Sequence, residues 1–400
     1  MSFEPLTGRA TALASLMIAV AMPAMAETTF NPRLSVGRTY TDNVRYTAEA
    51  PEDSDAYTSY SLVLPVTSTT PSSTFVFSYR PVFNQFDDFG DLDHIEHVLD
   101  LSANTKVSRT TNVKYDFDFQ DTQSQNYPLA GEGAPESLLF YRTERQLFGA
   151  SVGIDRSLTP NWSGDLSFDV QHVEIDQISD FPTAIPPEDL GDRRRFGVAV
   201  GGSRKLSGGR SAGFQYGVDT YDVDNRPSEE IHRLRGRFSG QPTRLVSYAL
   251  SAGASYRSDR EDTSAEASAS LSRTFKRGAL SAGVSHQATN AGIVPGGNTS
   301  TAASISYGDS GGPSWSWSVS GRWVDRSSDD PGDADVENVS GGVSVRFRLG
   351  DIGRGTVVNG MGLRLSARTV SQTSSDAELD ASYHKASLAF VTYFGKRAED

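Results

Sequence analysis

The chain has 400 residues, a formal net charge of −13, 37% hydrophobic residues and no cysteine. The acid excess argues against nucleic-acid binding. Without cysteine there is no disulfide framework, no thiolate metal site and no lipid-anchor cysteine. A soluble interior for so long a chain would need more Leu and Ile than this one carries.

The sequence begins MSFEPLTGRATALASLMIAVAMPAMAETTF. Arg9 precedes an apolar run over residues 10–22, and Ala24-Met25-Ala26 matches the small-x-small cleavage pattern. Residues 1–26 are expected to be a secretory signal peptide and 27–400 the mature domain. The run is shorter than the ~20 residues a helix needs to span a bilayer, and no later stretch approaches that length.

After residue 30, apolar residues recur at period two and hardly anywhere at 3.6. Phe75, Phe77, Tyr79 and Phe83 alternate with Thr74, Ser78 and Asn84; Val246, Tyr248, Leu250, Ala252, Ala254 and Tyr256 alternate with Ser247, Ser251, Gly253, Ser255 and Arg257. This parity puts Leu250 outside and Ser251 inside. The pattern predicts strands over 33–43, 57–67, 73–83, 97–106, 111–120, 142–156, 161–175, 193–205 and 211–221. It continues over 231–239, 244–257, 264–274, 279–288, 300–307, 314–325, 337–349, 357–370 and 379–394. Runs of about ten residues suit tilted membrane strands.

The connections sort by length. Even-numbered strands are followed by short turns such as STTPSS, LTPN, SGGR, QPTR, KRG and GDSGGP. Odd-numbered strands are followed by longer, mostly acidic loops such as RYTAEAPEDSDA, DQISDFPTAIPPEDLGD and RSSDDPGDADVE. Alternation of this kind is the pattern of an outer-membrane barrel. The expected fold is a single all-β, transmembrane antiparallel barrel of eighteen strands, sixteen being the alternative, with periplasmic termini and turns and extracellular loops. In SWSWSVSGRWVD, Trp315, Trp317 and Trp323 share one parity, while Ser316, Ser318, Ser320 and Arg322 share the other. Eight residues at ~3.3 Å, tilted by ~40°, climb roughly 20 Å, so these tryptophans fit two aromatic girdles.

The last strand alternates Ala386, Leu388, Phe390, Thr392 and Phe394. It resembles the closing strand of Gram-negative outer-membrane porins, although six residues follow the terminal aromatic. The first strand, through Tyr40, Asp42, Asn43 and Val44, resembles that of the β-barrel porins associated with exopolysaccharide systems. The resemblance implies a porin-like channel serving polysaccharide export. It also implies contact with outer-membrane lipid and lipopolysaccharide, insertion by the barrel-assembly machinery, and an acidic polysaccharide as a passing partner.

Other chemistry is thinly represented. His94 and His97, three apart among Asp91, Asp93 and Glu96, are weak candidates for a divalent metal in an outer loop. The acidic stretch 329–337 lacks the order of an EF-hand loop. His172 and His286 sit in no nucleophile motif such as Gly-x-Ser-x-Gly, so no enzyme and no cofactor is expected.

The inward parity is more informative. It carries Arg233, Arg235 and Arg237 on the tenth strand, Arg322 on the fifteenth, Arg346 and Arg348 on the sixteenth, and Arg364 and Arg368 on the seventeenth. The expected inward acids are Asp116, Asp118, Asp219 and Glu266. These arginines are expected to form a lumenal track for an anionic solute. A structural or adhesive barrel whose acidic loops bind a partner is the competing reading. Some residues fit the alternation badly: Arg38 and Arg273 on the lipid parity, Val76 and Leu147 on the lumen parity. A bulge is expected near His384.

Overall fold

The computed structural model describes residues 27–44, 54–126, 139–177, 192–223, 228–258, 261–290, 297–310, 312, 314–328, 335–350, 358–374 and 381–394. Residues 1–26, and most of the stretches 45–53, 178–191 and 329–337 that carry the acidic loops, lie outside them.

The strands are β1 (Glu27–Phe30), β2 (Arg33–Thr41), β3 (Asp55–Thr69), β4 (Ser73–Phe86), β5 (His94–Lys106), β6 (Thr111–Asn126), β7 (Leu139–Ser157), β8 (Trp162–Gln177), β9 (Arg193–Leu206) and β10 (Arg210–Val223). They continue with β11 (Glu229–Thr243), β12 (Val246–Arg257), β13 (Asp262–Thr274), β14 (Gly278–Asn290), β15 (Gly297–Asp309), β16 (Trp315–Ser328), β17 (Val336–Gly350), β18 (Val358–Ser374) and β19 (Ala381–Phe394). From β2 to β19 each strand pairs antiparallel with the next, and β19 pairs with β2, closing a ring of eighteen. The short β1 adds no staves to that ring. It pairs with β3 in the register that β2 continues (Phe30 opposite Val66, Arg33 opposite Val63), so β1 and β2 are one strand interrupted at Asn31-Pro32. Proline has no N–H to give the ladder.

Following cross-strand partners once around the ring returns to β2 displaced by about 22 residues, which tilts the strands by roughly 40°. One end of the barrel carries tight connections such as 70–72, 207–209 and 244–245; the other carries longer ones such as 42–54 and 178–192. We call these the turn end and the loop end. In the 207–209 turn, Gly208 and Gly209 take φ of 73° and 69°, a region that admits glycine without strain.

The outer face is apolar and exposed around the ring: Leu234, Leu250, Val284, Ile305, Val319, Val343, Leu365 and Phe390 all point away from the lumen. Aromatics border this band. At the turn end Tyr307 lies between Phe275 and Trp317, with ring centroids 6.1 and 5.2 Å away. At the loop end the Trp323 indole donates to Glu337 at 2.7 Å. The inner face is hydroxyl-rich, with serines paired across strands: Ser251–Ser268 at 2.7 Å and Ser318–Ser344 at 2.9 Å.

The misfit positions each have a local cause. Arg38 does point outward, near the loop end, and binds Thr58 and the Asp87 carboxylate, which that hydrogen bond holds below the ordinary carboxylate range. Arg273 is outward at the turn end, its guanidinium 5.0 Å from the Phe275 ring centre. Val76 and Leu147 do face inward, and Leu147 is buried opposite buried Val173. The expected bulge near His384 is absent. Partners on β18 and β19 run without a shift from Gly360/Tyr393 to Gln372/Ala381, and the irregularity lies between Val358 and Gly360. His384 is outward in unbroken alternation; a polar residue sits there because it is at the rim, beside Asp42.

Tyr40, Asp42, Asn43 and Val44 belong to the seam that closes the ring. The Asp42 carboxylate accepts the His384 N–H at 2.7 Å, and the Asn43 amide donates to the Ser382 carbonyl at 3.1 Å. Val44 packs with Phe86 and Leu92 in a buried cluster that Tyr57 and Phe89 flank.

Candidate functional site

Two arcs of the lumen wall differ in charge. The first spans β5 to β13 and mixes charges. Asp116 and Asp118 on β6, Asp165 and Asp169 on β8, Asp219 on β10 and Glu266 on β13 all face inward. So do Arg195 on β9 and Arg233, Arg235 and Arg237 on β11. These side chains form an alternating ion-pair chain along the wall. Asp169 forms an ion pair with Arg195 at 3.3 Å, and Arg195 donates to Asp219 at 2.7 Å. Asp219 also binds Arg233; Arg233 reaches Glu266 at 3.4 Å, and Arg235 binds the same carboxylate at 2.6 Å. Arg237 donates to Gln215 instead, and Lys114 pairs with Asp155 at 2.8 Å.

Glycines make this chain possible. Arg235 sits on β11 and Glu266 on β13, with β12 between them. The intervening inward residue is Gly253, and a Cβ there would meet the Leu234 carbonyl oxygen and, at 2.8 Å, the Arg235 Cα. Only a residue without a Cβ fits at this close approach of β12 to β11. Gly197 likewise leaves room for the Asp169 carboxylate opposite it, as Gly149 does for Asp118 and Gly201 for Asp165. The surrounding cavity, about 650 Å³, is lined by both signs of charge, including Arg195, Arg233, Arg235, Arg237, Asp165 and Asp169.

The second arc, from β14 to β2, carries no inward carboxylate among the described residues. Its wall is serine and glycine, with Arg322 on β16, Arg346 and Arg348 on β17, Arg364 and Arg368 on β18, and Lys385 on β19. Arg346 lies directly across from Arg364, and Arg368 across from Lys385. Arg322, Arg364 and Arg368 line one cavity of about 690 Å³ together with Ser304, Ser340 and Ser344. The structure thus brings the β16–β18 arginines together, and holds Arg233 and Arg235 apart from them in charge-matched pairs.

Strand parity keeps the candidate metal ligands apart. His94 begins β5 and faces inward, bonding Glu96 at 3.0 Å and Asn84 at 3.1 Å. His97 is an odd number of residues on and faces outward, against the Tyr79 hydroxyl at 2.8 Å. The stretch is a strand where a loop was expected, and no metal-binding group of three such residues occurs among the described residues. His172 and His286 are both outward, held by Glu174 at 3.0 Å and Thr301 at 2.8 Å.

Sequence reading missed Arg195, Asp165 and Asp169. Arg195 stands in a run of three arginines, and its parity becomes readable only from outward Phe196 beside it. The alternation of Asp165 and Asp169 with Leu166, Phe168 and Val170 was the available signal for the acids.

No protein-family model matches the chain, and no curated protein matches its sequence. Solved structures similar to it include Pseudomonas aeruginosa OccK2 (OpdF), at a TM-score of 0.48 and 12% identity over 93% of this chain and 98% of that one. The same protein in complex with glucuronate gives 0.48 and 11% over 93% and 99%. Pseudomonas aeruginosa OpdK with vanillate gives 0.45 and 10% over 91% and 99%.

Proposed function

We propose that the chain is an outer-membrane channel that passes hydrophilic, preferentially anionic solutes. An apolar belt between aromatic borders supports placement in a bilayer, with the turn end and both termini periplasmic. Eighteen strands enclose more space than side chains fill, which supports a water-filled lumen. The observation that carries anion preference is the second arc. Among the described residues that wall carries arginines and no inward carboxylate, whereas Arg195, Arg233 and Arg235 are paired with carboxylates where they stand.

Arginine suits this task because it stays charged and its fork grips oxyanions in pairs. Exposed contacts of this kind are worth about 1 kcal/mol or less each, so a solute is handed along without being trapped. Export of an acidic polysaccharide is the finer form of the proposal. It rests on the first-strand resemblance, and block of the channel current by oligogalacturonate added on the turn side is its test.

The test of the main reading is the reversal potential of the purified protein in a planar bilayer under a salt gradient. Anion selectivity is expected, and it should fall when Arg346, Arg348 and Arg364 are changed to Ser. Cation selectivity in the unmutated pore overturns the reading.

A further inference from the structure

Arg326 lies on the inward parity of β16, two inward positions beyond Arg322 toward the loop end, and is only 4% exposed. None of its three guanidinium nitrogens finds a hydrogen-bond acceptor among the described residues. Its cross-strand partners are Ser300 on β15 and Val336 on β17. Among the described strand residues, the neighbouring carboxylates Asp325 and Glu337 oppose each other on the outward face, and Glu337 is engaged by Trp323. Among the described residues, strand parity therefore gives Arg326 no counter-charge on its own wall. The Ser300 hydroxyl is also buried and also lacks a partner among the described residues. Buried polar groups in native proteins are satisfied by protein, water or a bound ion, and an unmatched buried charge is the most costly kind to leave alone.

We propose that Arg326 and the Ser300 hydroxyl form a binding subsite for the carboxylate of a small organic acid at the loop end of the lumen; its accessibility rests on the channel reading. The planar guanidinium takes both carboxylate oxygens in parallel, and the serine supplies a further donor. Ala302, Val324 and Val336 line the same buried wall. An apolar lining with a few fixed polar groups favours an acid whose charge sits on a hydrocarbon body over a fully hydrated inorganic ion. Arg322 is the next charge along β16 and opens onto the cavity shared with Arg364 and Arg368, so an acid released from Arg326 meets the cationic arc directly.

The test uses the folded full-length barrel in detergent, titrated calorimetrically with butyrate and with neutral butyramide at constant ionic strength in chloride. Butyrate should bind and butyramide should not. Arg326→Gln should weaken butyrate by roughly ten- to a hundred-fold, the range for losing a charge-assisted pair, and Ser300→Ala by a few-fold. Heat-modifiable gel mobility reports whether each variant is folded. If Arg326→Gln does not fold, Arg326→Lys decides: it keeps the charge, loses the fork, and should still weaken butyrate at least several-fold.

Unchanged affinity in a folded Arg326 variant overturns the subsite, as does equal response of the unmutated protein to acid and amide. The same preparation is assayed in a bilayer. A barrel that conducts without telling butyrate from butyramide loses the subsite alone. One that binds butyrate through Arg326 yet passes no current loses the channel reading alone.

Discussion

Consider arginine scanned along β12. Tyr248 marks the turn-end border of the apolar band on this strand and Tyr256 the loop-end border. Leu250, Ala252 and Ala254 lie between them on the outward parity, and Leu250 is 46% exposed. At ~3.3 Å per residue and a tilt of ~40°, Leu250 stands about 5 Å and Ala252 about 10 Å above the Tyr248 level. Ala252 is thus close to mid-band. Arginine on the lipid face costs about 2–4 kcal/mol at the bilayer midplane and falls toward 0–1 at the interfaces. Ala252→Arg should therefore lose the full amount and Leu250→Arg an intermediate one. Ser251 is the neighbour on the lumen parity, and its hydroxyl only pairs with Ser268. Ser251→Arg should stay within about 0.5 kcal/mol of the parent, as surface substitutions usually do. Reversible unfolding of the lipid-reconstituted barrel in guanidinium gives these differences. Equal damage at Leu250 and Ser251 would refute the register, and a loss at Leu250 exceeding that at Ala252 would refute the placement of the membrane.

The protein, expressed from its full sequence, should fractionate with the outer membrane and migrate heat-modifiably on a gel; recovery as a soluble periplasmic protein ends the membrane reading. Glu266→Gln strips Arg233 and Arg235 of a shared acceptor whose side chain is 3% exposed. It should cost about 3–5 kcal/mol in unfolding, the range for breaking a buried pair, and raise anion selectivity in the bilayer. No change in either quantity would remove the ion-pair chain from the account.

The strand plan was legible because period two survives along nearly the whole chain, and each predicted run overlaps one strand of the ring. Edges were underestimated at the loop end, as for β4 and β7, because the strands there run past the apolar band and alternation fades among polar residues. The wall's charge pattern was half legible. Parity placed Arg322, Arg346, Arg348, Arg364 and Arg368 together, since β16, β17 and β18 alternate cleanly through these positions. It could not say that Arg235 reaches Glu266 across β12. That depends on register between strands and on the missing side chain of Gly253, and period-two reading within one strand carries neither. His94 and His97 show the same limit in reverse. Their spacing reads as a cluster only while the stretch is taken for a loop; once it is a strand, an odd separation sends them to opposite faces.

The two arcs also constrain how such a channel would select. Eighteen strands ~4.8 Å apart at a tilt of ~40° enclose a backbone cylinder roughly 36 Å across. The acids of β6 and β8 lie about half a turn from the arginines of β16 to β18, while charges are screened within about 10 Å at 0.1 M salt. The arcs therefore act on a solute separately, each within its own layer of water, and do not form one field across the lumen. On the first arc the ion-pair chain cancels most of the charge within hydrogen-bond distance, leaving a polar surface with little preference. On the second arc the described wall carries arginines and no inward carboxylate, so on the proposed reading selection would come from anions that travel along β16 to β18. A selectivity made at a wall weakens as salt thickens the screening. The reversal potential therefore discriminates between the readings best at low ionic strength, where the layer over the arginines fills most of the lumen.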